Sequence, residues 1–213
     1  MKKLSLSLIT FCALSIWGCS SNNSTSEQNS NEKKTEVVSE KSYAYDASQT
    51  MVSFSAFKTT DKVAVSGRFQ EFEVKTTKET VSNPIEILEG LTFEIPVNSI
   101  ETNDKSRNGK IVEHFFGSML NTANITGTVK STANGKALVD IALNGVTKEV
   151  ALNLKVSENI ILIKGNIDMS DWDALGAINA LNKVCDDLHK GPDGKSKLWS
   201  DVDLVIKSKL VTQ

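Results

Sequence analysis

The chain has 213 residues, with 24 basic and 26 acidic side chains and a formal net charge of −2. That length accommodates one folded core but is short for two. The slightly acidic balance argues against nucleic-acid binding, which requires a basic face.

The amino terminus has the pattern of a secretory signal peptide. Lys2 and Lys3 precede an almost uncharged apolar run from Leu4 to Trp17. This run is too short for a membrane-spanning helix, which needs about 20 residues. We therefore expect the signal to be removed.

The pair Gly18-Cys19 resembles a bacterial lipoprotein box, in which a small residue precedes the lipid-modified cysteine. The resemblance implies that residues 1–18 are a lipoprotein signal peptide and that Cys19 is the lipid anchor. Ser20, in place of an aspartate, implies sorting to the outer membrane. We therefore expect attachment to the membrane in the cell envelope, on the periplasmic face of the outer membrane. The alternative is an ordinary signal cleaved elsewhere.

Residues 19–42 are rich in Ser, Asn, Glu and Lys and nearly devoid of apolar side chains. Such a segment buries too little surface to offset the entropy lost on ordering, so we expect a flexible, lipid-anchored tether. The folded domain is then residues 43–213. Cys12 leaves with the signal and Cys19 takes lipid, so Cys185 remains alone and no disulfide can stabilise the domain.

Period-two alternation of apolar and polar residues predicts eight half-buried β-strands in the domain. The alternating runs are Val52–Ala56, Val63–Phe69, Leu91–Val97, Ile125–Val129, Val139–Leu143, Val150–Val156, Ile161–Ile167 and Val202–Ile206.

The turns indicate how these strands are connected. Asn134-Gly135 and Asn144-Gly145 supply the two positive-φ residues of a type I′ turn, and Glu158-Asn159 is a weaker version. They predict an antiparallel meander from about Ile125 to Asp168. Pro96 lacks a backbone N–H, so we expect its strand to be interrupted there.

Two segments switch to helical spacing. Apolar residues recur at intervals of three and four residues between Ile111 and Met119, which predicts a short helix after Asn103. The same spacing recurs between Trp172 and Leu188. Ser170 and Asp173 predict a capping box at the start of the second helix. Gly191-Pro192 predicts its end.

Eight strands with one apolar face form a sandwich or a closed barrel, and closure leaves no free edge. The interior of an eight-stranded barrel is either filled by side chains or holds one small ligand, and periodicity does not distinguish the two. A membrane barrel is disfavoured because several strands are short and aromatic girdles are absent from the sequence. The prediction is a mainly β protein, an antiparallel eight-stranded β-barrel with two short helices.

Four segments resemble one family. They are YAYDASQTMVSFSAF from residue 43, GRFQEF from residue 67, VNSIETNDKSRNGKIVEHFF from residue 97 and LNGVTKEV from residue 143. The chain is similar to the YceI-like family of polyisoprenoid-binding, lipocalin-like periplasmic proteins, as a lipoprotein member. Arg107-Asn108 departs from the Arg-Asp usual in the family. That departure lies near the expected barrel mouth and bears on ligand identity, not on the fold.

The resemblance implies a lumen that takes the isoprenoid tail of a quinone or polyprenol, and no other cofactor. Apolar lumen walls would stabilise the tail by roughly 25 cal/mol per Å² buried. Candidate head-group contacts are Lys105, Arg107 and Lys110, which are equally consistent with an ordinary exposed helix start. The candidate ligand-lining residues are Phe54, Ala56, Phe69, Phe93, Ile141, Leu143, Leu152, Leu154, Ile163 and Leu204.

Other reactive residues favour a structural interpretation. Cys185 and His189 share a helix face, but a zinc site usually needs four ligands and the only other histidine is His114. Asp186 and Asp187 are adjacent, so they point in different directions on a helix. No arrangement in the sequence predicts a metal site or a catalytic centre.

Three functions remain. The first is a module that binds an isoprenoid lipid for storage, transport or stress protection. The second is a solidly packed barrel that serves as a structural or protein-interaction module in the envelope. The third is an enzyme that uses Cys185 or the aspartates, which the residues favour least. The sequence does not fix the oligomeric state.

Overall fold

The computed structural model describes residues 41–213. The predicted signal peptide, the proposed anchor Cys19 and nearly all of the proposed tether lie outside these residues. Within them the fold is mainly β, with two α-helices: α1 (Lys105–Lys110) and α2 (Leu175–Val184). The strands are β1 (Tyr43–Ala44), β2 (Thr50–Lys58), β3 (Val63–Phe69), β4 (Glu73–Lys75), β5 (Thr92–Pro96), β6 (Ile100–Glu101), β7 (Asn124–Ala133), β8 (Lys136–Leu143), β9 (Val146–Ser157), β10 (Ile160–Asp168), β11 (Leu198–Lys209) and β12 (Val211–Thr212).

Ten of the strands form one antiparallel sheet in the order β4-β5-β7-β8-β9-β10-β11-β2-β3-β6. The sheet closes on itself because β3 continues into β4 and β5 continues into β6. Phe69 pairs with Ile100 on one side of the bend, and Val74 pairs with Phe93 on the other. Counting each bent pair as one strand, the ring contains eight strands, as the alternation predicts.

The bend in β5 and β6 lies at Pro96. A 3₁₀ turn over Val97–Ser99 interrupts the strand directly after Pro96, which confirms the predicted interruption. The buried Ser99 holds the bend together: its hydroxyl donates to the carbonyl oxygens of Pro96 and Glu71 at 2.7 and 3.1 Å. Its own carbonyl accepts from the Gln70 N–H at 2.9 Å.

The predicted meander is confirmed as β7 to β10. Asn134 and Gly135 have φ of 52° and 70°, and Asn144 and Gly145 have 52° and 71°, as type I′ turns require. Along β8 the alternate residues Ala137, Val139, Ile141 and Leu143 are buried in the core. The strand period therefore determines which side chains face the interior.

The first helical segment begins at Lys105, after Asn103 as the spacing predicts. The Asp104 carboxylate accepts from the Arg107 N–H at 3.0 Å, and the segment continues as one π-helical turn over Ile111–Phe115. The second segment differs from prediction. The predicted capping box is wrong: Asp168 instead caps a 3₁₀ turn over Met169–Trp172, accepting from the Ser170 N–H at 2.8 Å.

The second helix starts only at Leu175 because Asp173 adopts a left-handed conformation, with φ of 54°. It ends at Val184, and a further 3₁₀ turn covers Asp186–His189. The predicted continuous helix from Trp172 to Leu188 is therefore divided into three parts. One break lies at Asp173 and the other at Cys185, whose φ of −114° and ψ of 19° are not those of an α-helix.

The ends of the barrel are covered by these short elements. α2 packs against the π-helical turn, against β11 and against the Met169–Trp172 turn. A separate 3₁₀ turn over Pro84–Leu88 packs against β7 and β10. Among residues 41–213, neither α-helix has the length and apolar composition that a membrane-spanning helix requires.

Candidate ligand-binding cavity

The barrel encloses a cavity of about 270 Å³. Its walls are almost entirely apolar and are contributed by nearly every strand of the ring, together with the turns at both ends. Residues that line it from the strands include Val52, Phe54, Ala56, Phe69, Phe93, Ile125, Val139, Ile141, Leu143, Leu152, Ile161, Ile163, Val202, Leu204 and Ile206. A concave apolar space of this kind is the usual form of a small-molecule site.

Three large side chains occupy the space next to glycines on neighbouring strands. A β-carbon added at Gly67 would lie 2.5 Å from the Phe54 ring, and one added at Gly127 would lie 2.3 Å from the Phe93 ring. Each glycine therefore provides the space that its neighbour fills. The three large groups therefore lie against the cavity wall. The pairs are Phe54 on Gly67, Phe93 on Gly127 and Leu152 on Gly165.

Trp172 closes one end of the cavity. Its side chain is fully buried, and its indole N–H donates to the carbonyl oxygen of Ile141 at 2.9 Å. Its own carbonyl accepts from the Asn144 side-chain amide at 2.8 Å. These bonds join the Met169–Trp172 turn to β8 and to the β8–β9 hairpin, so they position the indole against the cavity.

α2 and the π-helical turn contribute apolar side chains at the same end. Ile178 and Leu181 reach the cavity from α2, and Ile111 and Phe115 reach it from the π-helical turn. At the other end, Ile87 from the Pro84–Leu88 turn lines the cavity and is almost completely buried.

Trp199 combines an apolar contact with nearby positive charge. Its indole N–H donates to the carbonyl oxygen of Thr59 at 2.8 Å. The Lys197 ammonium lies 3.3 Å from its ring centroid and that of Lys62 lies 4.9 Å away. Cation–π contacts of this type hold the ring in the cavity wall while the ammonium groups remain outside the lining.

Nine of the ten residues predicted to line a ligand site line this cavity. The exception is Leu154, which is buried in the core outside the cavity. The five residues whose alternation predicts an inward side chain, Phe54, Phe93, Ile141, Leu152 and Ile163, all face it. Their contact with a ligand remains a prediction.

The candidate head-group contacts lie elsewhere. Lys105, Arg107 and Lys110 belong to α1 and are outside the cavity lining. Arg107 lies 3.5 Å from Asp104 in an exposed ion pair. Asn108, at the position where the sequence departs from the family pattern, accepts from the N–H and hydroxyl of the buried Thr102 at 2.9 and 2.7 Å. It therefore anchors α1 to the end of β6.

Cys185 and His189 both contribute to packing. Cys185 is a buried free thiol, and the His189 ring nitrogen Nδ1 lies 2.8 Å from the Asn182 side-chain oxygen. Burial, reinforced by the Lys58 charge, lowers the pKa of His189 below its usual value. Among residues 41–213 no group of three or more acidic, histidine or cysteine side chains could hold a metal ion.

Several cavity residues are missing from the sequence-based prediction. Trp172, Phe115 and Ile178 come from helical turns that cover the barrel, and Ile87 comes from a turn without periodicity. Alternation identifies residues on strands only. Tyr45, which also lines the cavity, lies between two elements and has no sequence signal for that role.

Residues 43–207 match the YceI-like domain. The chain belongs to the YceI-like family. No curated protein matches it at a significant level.

Solved structures share the YceI-like fold at low sequence identity. A polyisoprenoid-binding domain from Saccharophagus degradans, implicated in plant cell wall breakdown, is 19% identical with a TM-score of 0.54, over 81% of this chain and 99% of that one. Burkholderia cenocepacia BcnA is 13% identical with a TM-score of 0.52, over 78% and 98%. The Campylobacter jejuni YceI protein is 17% identical with a TM-score of 0.51, over 70% and 85%. At these identities the likeness shows the fold.

Proposed function

We propose that this YceI-like protein binds an amphipathic isoprenoid lipid, of the quinone or polyprenol type, inside the barrel. The observation that carries the proposal is the apolar cavity of about 270 Å³. The similarity in fold to a polyisoprenoid-binding domain supports the same ligand class.

The size of the cavity indicates how much binding energy it offers. An unfilled apolar cavity destabilises a protein by about 24 cal/mol per Å³. Over 270 Å³ this amounts to about 6 kcal/mol, which an apolar ligand recovers when it fills the space. Such a gain alone corresponds to a dissociation constant of about tens of micromolar. A solidly packed structural module would have no comparable space.

We propose further that the protein acts as an envelope lipoprotein, anchored through Cys19 on the periplasmic face of the outer membrane and holding its lipid for storage, transport or stress protection. The support is the signal-like segment 1–18, the Gly18-Cys19 pair and the polar composition of residues 19–42. All three features precede the domain that the structure describes.

Native mass spectrometry of the protein purified from its own host tests the lipid ligand. The expected result is a bound species whose mass matches an isoprenoid lipid and which is lost on organic extraction. The extracted protein should then take up a quinone or polyprenol from detergent micelles. A protein that carries no lipid and takes up neither compound would contradict the proposal.

A further inference from the structure

The cavity reaches the protein surface at Trp199. This residue lies within a register irregularity of β11, between Leu198 and Val202. Because the strand is irregular there, the consecutive side chains of Leu198 and Trp199 both line the cavity. The Trp199 ring also contacts the Lys62 and Lys197 ammonium groups, and the Lys62 side chain is 44% exposed. One aromatic ring therefore contacts both the cavity and the solvent-facing surface.

Exposed apolar side chains lie beside Trp199. Lys58, at the end of β2, pairs with Leu198 on one side and with Val63 on the other. Its ammonium group donates to the carbonyl oxygen of Leu188 at 2.9 Å. Val63 is 47% exposed and Leu188 is 60% exposed. These neighbouring residues form one surface at the rim of the cavity, which we call the entrance surface: Lys58, Lys62, Val63, Leu188, Lys197 and Trp199.

This combination of side chains suits the interface of a lipid bilayer. A Trp ring has an apolar body and a polar N–H, and lysine stems are apolar while their ammonium groups stay in water. An exposed aliphatic side chain such as Leu188 gains free energy by leaving water. The lysine ammonium groups also attract anionic lipids. The entrance surface therefore has the chemistry of a membrane contact, directly beside an apolar cavity.

The chain that precedes the domain joins it at the opposite end of the barrel. The Ser42 N–H donates to the Gln213 carbonyl at 3.2 Å, and the Gln213 N–H donates back at 2.9 Å. Gln213 follows β11, which has crossed the barrel from Trp199 to Lys209. Ten residue steps along a strand cover roughly 33 Å. Ser42 and the entrance surface therefore lie about one barrel length apart.

The sequence between the proposed anchor and the domain is long enough to bridge that length. Cys19 and Ser42 are 23 residue steps apart. A chain spans at most about 3.6 Å per residue, so these steps reach up to about 80 Å. With the entrance surface on the membrane, Ser42 lies roughly 33 Å above it, well within that reach. A domain held with Ser42 next to the membrane would need only a few of these residues.

We propose that the entrance surface docks on the bilayer that holds the proposed Cys19 anchor, with Ser42 on the side away from the membrane, and that the isoprenoid lipid enters the cavity from that bilayer past Trp199. This inference rests on the proposed lipid binding and on the proposed anchor. The length of residues 19–42 is then a functional property, because it allows the far end of the barrel to reach the membrane.

Shortening the connection tests the proposal without altering the described domain. Deletion of residues 23–38 leaves seven residue steps between Cys19 and Ser42. They span at most about 25 Å, which is less than the barrel length. The lipidated protein is placed in phosphatidylethanolamine–phosphatidylglycerol vesicles that contain a photoreactive isoprenoid quinone. The readout is photolabelling of cavity-lining peptides of β9, measured by mass spectrometry.

We expect the deletion to abolish most labelling from vesicles and to leave labelling from detergent micelles unchanged. A Gly-Ser sequence of the same length in place of residues 23–38 is the control, and it should restore labelling from vesicles. Equal labelling of the shortened and wild-type proteins from vesicles would overturn the proposal.

Leu188→Asp tests the entrance surface itself. Leu188 lies outside the cavity lining, so the substitution leaves the binding site intact. We expect it to lower labelling from vesicles about tenfold, as loss of one buried leucine contact does, with labelling from micelles unchanged. Met51→Asp is the matched control, because Met51 is 44% exposed and pairs with Lys207 at the Ser42 end of the barrel. A loss with Met51→Asp and none with Leu188→Asp would show that the opposite end faces the membrane and would overturn the proposal.

The outcomes separate this inference from the proposed function. Wild-type protein that is labelled in the cavity from micelles but not from vesicles would overturn docking and leave lipid binding intact. Wild-type protein that is labelled from neither would contradict isoprenoid binding and this inference together. Wild-type protein that does not stay attached to membranes would contradict the anchor and overturn the docking with it.

Discussion

Leu152→Trp tests whether the barrel is hollow, because Leu152 lies on β9 with its side chain in the cavity wall over Gly165. It is 4% exposed. In a solidly packed core the larger indole would destabilise the fold by about 1–3 kcal/mol. For a domain of this size each kcal/mol lowers the melting temperature by roughly 2–4 °C. In a hollow barrel the ring enters free space, and we expect the ligand-free melting temperature to stay close to that of wild type.

The same substitution should weaken lipid binding by a calculable amount. At about 24 cal/mol per Å³, every ~60 Å³ removed from the cavity costs the ligand about 1.4 kcal/mol. That is about a tenfold loss of affinity. The indole exceeds the isobutyl group by a volume of this order, so we expect at least a tenfold loss against the 270 Å³ available in wild type.

Leu154→Trp is the matched control. Leu154 lies two residues along the same strand and is also buried, but outside the cavity. It should show the full loss of thermal stability expected for a packed core. Thermal melting of both extracted variants and retention of a labelled quinone are the measurements. Equal loss of melting temperature in Leu152→Trp and Leu154→Trp would refute a hollow interior.

Three further predictions concern the anchor, the barrel wall and pH. Cys19→Ala should move the protein from the membrane fraction to the soluble fraction, because it removes the proposed lipid attachment site. Gly127→Ala should lower the melting temperature by several degrees, since its β-carbon would lie 2.3 Å from both a backbone carbonyl oxygen and an aromatic ring. The lowered pKa of His189 favours its neutral form in the fold, so its contribution to stability is present above the ordinary pKa of 6.5 and is lost as pH falls through the lowered value. His189→Gln should therefore reduce the fall in melting temperature on acidification below pH 6.5.

Each of these experiments has a control or a contrary outcome. Cys12→Ala, within the signal segment, should leave the protein membrane-bound, and retention of Cys19→Ala in the membrane would contradict the anchor. Gly176→Ala on α2 meets open space and should not destabilise, whereas an equal effect at both glycines would contradict the steric argument at Gly127. An unchanged pH slope in His189→Gln would rule out that residue as the origin of the dependence.

The strands were predictable because their determinants are local. Alternation identifies all eight strands of the ring, and the Asn134-Gly135 and Asn144-Gly145 turns fix the connections of the meander. Pro96 indicates the bend because it has no N–H for the ladder. The short strands β4 and β6, which close the ring, contain three and two residues and are too short for periodicity to identify.

The exact bounds of the helical segments and the presence of the cavity could not be predicted from the sequence, because both depend on tertiary structure. The Ser170 and Asp173 pattern is compatible with a capping box. In the structure, however, the Asp168 carboxylate accepts from the Ser170 N–H, and Asp173 has a left-handed backbone conformation. Whether the interior is filled depends on where large side chains lie. Alternation predicts that Phe54 points into the barrel, but it does not show that the Phe54 ring lies against Gly67.

Closure of the ring also affects how readily copies of the protein associate at high local concentration. If the chain is concentrated on a membrane surface by its proposed anchor, copies meet far more often than in dilute solution. Exposed strand edges can then pair with those of neighbouring copies and cause aggregation. In the described part of the chain, each of the eight ring strands has a neighbour on both sides, although β3 pairs with β6 only at Arg68 and Phe69. Outside the ring, the two-residue strands β1 and β12 pair with each other. The bend at Pro96, which completes the ring, thus shortens the strand edge with which a second copy could pair.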